Sequence, residues 1–181
     1  YYDEVSRFDA GIGSVIQELE RQEVLDNTFL LVITDNGRPF PRCKTRVNVD
    51  GVKTPFIVRF PSQVEQGVTS DSLVSTVDIG PTILDLASVR IPDSLQGVSL
   101  KPVLLDPETE VRKYAFAEHN WHDYRAYERA IISPDYLLIK NWAPELQGTP
   151  PADAVRSPTY REMNRLLEAN QLDEKLVSLF S

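Results

Sequence analysis

The sequence predicts an α/β protein. A parallel sheet belongs to its first part, and a small antiparallel sheet with C-terminal helices follows. Three observations predict this. An amphipathic helical pattern over residues 2–22 leads into the uninterrupted apolar run Phe29-Leu30-Leu31-Val32-Ile33. Such a run suits a strand buried on both faces, and a helix feeding a buried strand is the signature of a parallel sheet. From Tyr114 onward the texture changes to short apolar runs separated by turn residues, which reads as antiparallel pairing.

Each element has its own local reason. In the first helix Val5, Phe8, Ile12, Val15, Ile16 and Leu19 fall three or four apart on one face. Gly11 and Gly13 weaken a helix by roughly 1 kcal/mol each, so they are expected to mark close packing. Asp26-Asn27 signals a turn before the strand at 29–33, which ends at Thr34-Asp35-Asn36-Gly37. A basic, proline-bearing loop over residues 38–54 precedes a second strand at 55–60. Residues 76–88 read as a short helix that tolerates Pro81 near its start, and Pro92 and Gly97 punctuate a loop. Strands are expected at 114–117, 129–132 and 136–139, with Ser133-Pro134-Asp135 as a turn. Residues 144–151 read as a loop. Helices at 158–169 and 173–179 close the chain, with Ser157 as N-cap and Pro158 at the first helical position. The polar stretch 106–112 divides a first part, 1–108, from a smaller α+β part, 109–181.

Composition narrows the function. Apolar residues are 41% and charged residues 25% of the 181, which is globular rather than disordered. The net charge of −8 argues against a nucleic-acid binder, which is usually basic. No apolar run approaches the roughly 18 residues that cross a bilayer, so no membrane partner is expected. The single cysteine, Cys43, excludes an internal disulfide and a multi-cysteine metal site. Tyr1 opens inside a helical pattern, and the predicted buried strand needs neighbours to pair its edges. The chain is therefore expected to belong to a longer protein whose preceding portion is its partner.

Chemistry concentrates beyond the first strand, where ligands of open parallel sheets bind. Asp35 and Asn36 offer hard oxygen donors suited to calcium or magnesium; Asp-Asn-Gly is equally a common turn. Arg38, Arg42, Lys44 and Arg46 follow within one loop. Cations beside a metal suit a sulfate or phosphate ester, and a solvated basic loop is the competing reading. His119 and His122, the two histidines, flank Trp121 and precede Asp123. They are candidates for contact with an acidic sugar, against surface loop residues, while Trp142 reads as packing.

These residues fall in a recognisable order. Tyr1 through Asp9, then Leu25-Asp26-Asn27-Thr28, Ile33-Thr34-Asp35-Asn36-Gly37, Lys44 counted back from Thr54-Pro55, Val77 through Leu86, and Leu95-Gln96-Gly97-Val98-Ser99-Leu100 together resemble the later portion of the sulfatase family. Asp35 through Pro41, and the short spacing to Lys44, are most similar to the heparan N-sulfatase (sulfamidase) branch. Glu118 through Asp123 and Ser157-Pro158-Thr159-Tyr160 resemble its later segments.

The resemblance implies an alkaline-phosphatase-like fold. It also implies calcium ligation by Asp35 and Asn36, a sulfate contact from Lys44, and a formylglycine nucleophile made in the motif Cys/Ser-x-Pro/Ala-x-Arg. Cys43 does not fit that motif: Thr45 and Val47 stand where Pro or Ala and Arg belong. The nucleophile and the other metal ligands are expected upstream, and the chain alone is expected to be inactive and a weak calcium binder. The whole protein would hydrolyse sulfate esters or N-sulfates on a sulfated small molecule or a glycan such as heparan or heparin-like sugars, in a secreted, periplasmic or lysosomal setting. A phosphodiesterase or phosphonate hydrolase of the same superfamily and an inactive sulfated-glycan binding module are the alternatives.

Overall fold

The structure is a computed structural model and describes residues 1–146 and 150–180. Helix α1 (Tyr2–Arg21) leads through a 3-10 turn at Leu25–Asn27 to strand β1 (Leu30–Ile33). A single helical turn, α2 (Val49–Val52), interrupts the loop before β2 (Phe56–Arg59). Helices α3 (Ile79–Leu86) and α4 (Lys101–Leu105) complete the first part. The second part holds β3 (Ala115–Trp121), β4 (Arg125–Ile132) and β5 (Leu137–Asn141), then α5 (Ala152–Val155), α6 (Pro158–Glu168) and α7 (Glu174–Val177). Of the loop expected at 144–151, residues 147–149 lie outside the described residues.

The parallel pairing expected of the first part is not what the described residues show. β1 pairs with β2 antiparallel, Leu30 opposite Arg59 and Ile33 opposite Phe56. The connection explains it: residues 34–55 carry only the single turn α2, not the crossover helix that a parallel pair needs. Nor is β1 buried on both faces; its four residues are all half-buried. One face of the pair, through Leu31, Phe56 and Val58, meets Ile79 of α3 and Leu100 and Leu104 at α4. On the other side Leu30 and Val32 line an open groove of about 580 Å³ with Phe8, Ile12 and Val15 of α1. Val5, Phe8 and Val15 are exposed and no α1 residue is buried. Nothing approaches a Cβ built at Gly11 or Gly13, so the close packing expected there is not found among the described residues.

The centre of the first part is a carboxylate. Asp78 is fully buried. It accepts from Ser75 N at 2.8 Å and Val98 N at 2.9 Å, and from Arg112 through Nε and Nη2. Thr82, also buried, donates to Asp78 O at 2.6 Å and accepts from Leu100 N at 2.8 Å. Gly97 is required beside this hub, since a Cβ there would lie 2.0 Å from Val77 O. One buried charge thus ties α3, the 95–100 loop and Arg112 together.

The second part is a meander in the order β3-β4-β5. Cross-strand pairing sets Ala115, Ala117 and His119 against Ile132, Ala130 and Glu128, on the opposite face from Phe116, Ile131 and Leu138. The expected turn forms, with Ser133 N donating to Tyr136 O at 2.8 Å. Ser157 caps α6 as expected, its hydroxyl accepting from Tyr160 N at 3.1 Å. No helix among the described residues is long and apolar enough to cross a membrane.

Candidate functional site

β1 ends at Ile33 and delivers Asp35 and Asn36 to the loop. Asp35 is exposed and Asn36 half-buried, and neither side chain is taken up by a hydrogen bond or ion pair among the described residues. The loop then closes on itself. Gly37 N donates to Gly51 O at 3.0 Å, and a Cβ at Gly37 would sit 2.3 Å from Asp50 O. Asn48 Oδ1 accepts from Gly51 N at 3.1 Å. A Cβ at Gly51 would lie 2.1 Å from Arg46 O, so both glycines permit backbone-to-backbone contact that no other residue allows.

Within this loop Arg42 (φ 61°) and Thr45 (φ 69°) adopt left-handed backbone. For β-branched Thr45 that conformation costs about 1–3 kcal/mol and persists only where the surroundings impose it. The surroundings here are Lys44 N donating to Arg38 O and Arg46 N donating to Cys43 O, both at 3.0 Å. Lys44 and Arg46 stand on either side of the strained residue.

Arg38, Arg42, Lys44 and Arg46 each meet an oxygen. Arg38 pairs with Asp50 at 3.8 Å, both exposed, an arrangement that contributes little. The other three reach the second part of the chain: Arg42 Nη1 donates to Ser178 O at 3.0 Å, Lys44 Nζ to Asp153 Oδ2 at 2.6 Å, and Arg46 lies 3.8 Å from Glu128. The Lys44 side chain is only 20% exposed. Cys43 is buried.

The histidine segment converges on the same place. His119 sits opposite Glu128 in the β3-β4 pair, its Nδ1 3.8 Å from the carboxylate. Both its ring nitrogens are buried without a hydrogen bond. Burial holds the His119 imidazole below its ordinary pKa; Glu128 opposes this, while the charges of Arg46 and His122 reinforce it. His122 Nδ1 is 3.2 Å from Asp123 Oδ2, which also accepts from Ala152 N at 2.5 Å. That backbone N–H is the main reason the Asp123 carboxyl titrates below the usual range. Lys44 does the same for Asp153. Trp142 is half-exposed at 44% and stacks on Tyr127, with centroids 5.0 Å apart.

Lowering the pH is therefore expected to destabilise the fold as His119 charges. Its folded pKa lies below its unfolded value, so the stabilisation is complete above about pH 6.5 and is lost as the pH falls from there toward the folded value. Thermal melts of wild type and His119→Gln between pH 7.5 and 5 should show the decline flattened in the variant; parallel curves would mean that His119 does not cause it.

Sequence reasoning passed over two members of this cluster, Glu128 and Asp153. Glu128 carried a signal. Ala126, Glu128, Ala130 and Ile132 share one face of β4, where a lone carboxylate among apolar residues implies a partner. Asp153 carried none, lying 109 residues from Lys44.

The donors of Asp35 and Asn36 fit a hard divalent cation in kind, being uncommitted oxygens, but not in number. Calcium takes 6–8 oxygens, and among the described residues no group of three or more His, Cys, Asp or Glu is placed to hold a metal.

Comparison with solved structures defines the class. A protein solved in complex with its substrate D-glucosamine-2-N,6-O-disulfate superposes with a TM-score of 0.65 at 25% identity, over 92% of this chain and 38% of that one. The fold is thus that of part of an alkaline-phosphatase-like sulfatase. Residues 44–178 match the family described as N-sulphoglucosamine sulphohydrolase, C-terminal, and the chain belongs to that sulfatase family. An ulvan-active sulfatase of Formosa agariphila is 30% identical over 99% of this chain, and the human N-sulphoglucosamine sulphohydrolase is 29% identical over 94%. The chain spans 30% and 36% of the lengths of these two relatives.

Proposed function

We propose that the full-length protein hydrolyses sulfate esters or N-sulfates on a glycan, with heparan or heparin-like sugars as the substrate class. In this reading the chain supplies one wall of the pocket: Lys44 as the sulfate contact and Asp35 and Asn36 as two calcium ligands. The formylglycine nucleophile and the remaining ligands belong to the portion outside this chain.

The observation that carries the reading is the closed loop 37–51. It holds Lys44, a half-buried residue, just beyond two uncommitted oxygen donors at the end of β1. The family match over residues 44–178 supports the sulfatase class. Calcium, when bound, would stabilise negative charge on the sulfate oxygens as a Lewis acid. Lys44 acts beside it. An ammonium has three donors, and with one directed to Asp153 two remain for sulfate oxygens. In a half-buried setting their attraction for developing negative charge is far stronger than in water. Arg46 and Glu128 neutralise one another, so the charge offered to the substrate is local rather than a diffuse basic patch. His122 and Asp123 lie on the side of Asp153, where they would contact the sugar, while the buried ring nitrogens of His119 face Glu128.

The test is turnover by the full-length protein of glucosamine N-sulfate, glucosamine 6-O-sulfate and an aryl phosphonate monoester, compared as kcat/KM. Preference for either sulfated sugar is expected. Preference for the phosphonate, or binding of sulfated sugars without turnover of any of the three, would overturn the reading.

A further inference from the structure

We propose that Asp153 is the positioning residue for Lys44, and that Asp123 sets Asp153 in place. The proposal rests on the reading of Lys44 as the sulfate contact and adds what holds that contact still.

A lysine ammonium rides on four flexible carbons, and a sulfate contact needs it at one point. Asp153 provides the fix. Its Oδ2 lies 2.6 Å from Lys44 Nζ and its Oδ1 accepts from Ala154 N at 2.9 Å. Both oxygens are occupied, so the carboxylate cannot rotate away from either partner alone. The pair is not a mobile surface bridge, because Lys44 is the enclosed member, 20% exposed against 53% for Asp153. The carboxylate closes over the cation from the rim.

Asp153 is anchored in turn. It stands in the first turn of α5, and Ala152 N just before it donates to Asp123 Oδ2 at 2.5 Å. Asp123 lies between β3 and β4, and its carboxylate also meets His122 Nδ1 at 3.2 Å. The path therefore runs from the β3-β4 connection through Asp123 and α5 to Asp153 and Lys44, joining two regions that the sequence sets far apart. It leaves the other two ammonium donors for ligand.

The experiment compares full-length wild type with Lys44→Ala, Asp153→Asn, Asp153→Glu, Asp123→Asn and the double variant Lys44→Ala/Asp153→Asn. It reads kcat and KM on the preferred sulfated glucosamine, the Kd of inorganic sulfate by calorimetry, and Tm as the folding control. Asp153→Asn is expected to lower kcat about 10- to 100-fold, as loss of an orienting partner does elsewhere, with KM little changed. Asp153→Glu should recover most of the loss, Asp123→Asn should reproduce part of it, and Asp153→Asn should add nothing in the Lys44→Ala background.

The proposal is overturned if Asp153→Asn lowers Tm but leaves kcat and sulfate Kd at wild-type values, or if the two losses multiply in the double variant. Tighter sulfate binding by Asp153→Asn would also overturn it, showing that the carboxylate competes with ligand for the ammonium. Should Lys44→Ala match wild type, the assignment of Lys44 falls and takes the proposal with it. A crippled Lys44→Ala beside a normal Asp153→Asn removes the proposal alone. In the absence of any turnover, the same comparison of sulfate Kd decides the positioning separately from the catalytic reading.

Discussion

Replacing Lys44 by alanine in the full-length protein is expected to lower kcat on a sulfated sugar by about 10²–10³-fold, the usual cost of one preorganised donor to a charge that grows in the transition state. The effect should fall on chemistry and not on folding. Asp153, left without its cation, is 53% exposed and can be solvated, so the stability lost is small. A thermal melt within a few degrees of wild type alongside a collapsed kcat is the expected pattern. The pair of measurements separates Lys44 from Arg38, whose exposed partner Asp50 lies 3.8 Å away and whose replacement by alanine should change neither.

The opposite pattern is expected at Asp78. Its carboxylate is fully buried and receives two backbone N–H groups and the Arg112 guanidinium. Asp78→Ala strands all of these donors. Removing one partner from a buried charge pair costs about 3–5 kcal/mol, and at roughly 2–4 °C per kcal/mol for a domain of this size Tm should fall on the order of 10 °C. Asp78→Asn should do nearly as badly, because its amide NH2 would face donors rather than acceptors. Differential scanning calorimetry checks both; a shift under about 2 °C for Asp78→Ala would show that the hub contributes little.

Asp78 also shows what a sequence discloses and what it withholds. The segments around it, Val77 through Leu86 and Leu95 through Leu100, stand out as landmarks of the sulfatase resemblance. Their reason for being there, a buried carboxylate serving three chain segments, emerges only from contacts between residues up to 34 apart. α1, β1, β2 and α6 were legible because periodicity or an uninterrupted apolar run spans enough residues to declare itself. The single turns α2, α4 and α5 were not, since four or five residues cannot display a helical period. The sense of the pairing between β1 and β2 was not legible for a related reason: the apolar run of β1 suits a buried strand of either sense.

The site divides in the same way. Asp35, Asn36 and Lys44 come from one loop and could be singled out as candidates from local order. Their companions Glu128 and Asp153 come from the other part of the chain, and only folding brings them to Arg46 and Lys44. The basic loop likewise read either as an anion-binding patch or as a solvated loop. In the structure Arg42, Lys44 and Arg46 each meet an oxygen of the second part, so the loop is not a free basic patch.

The central claim is that the end of β1 supplies the metal side of a sulfate-binding pocket. The measurement that meets it most directly is a calcium titration of turnover in the full-length protein after chelation, for wild type and Asp35→Ala. Wild type should lose activity on chelation and regain it with calcium. Asp35→Ala should need at least about 100-fold more calcium, since even changes behind a ligand cost 10- to 100-fold in affinity. Superimposable titrations for the two proteins, or wild-type activity indifferent to chelation, would contradict the assignment of Asp35 and Asn36 to calcium.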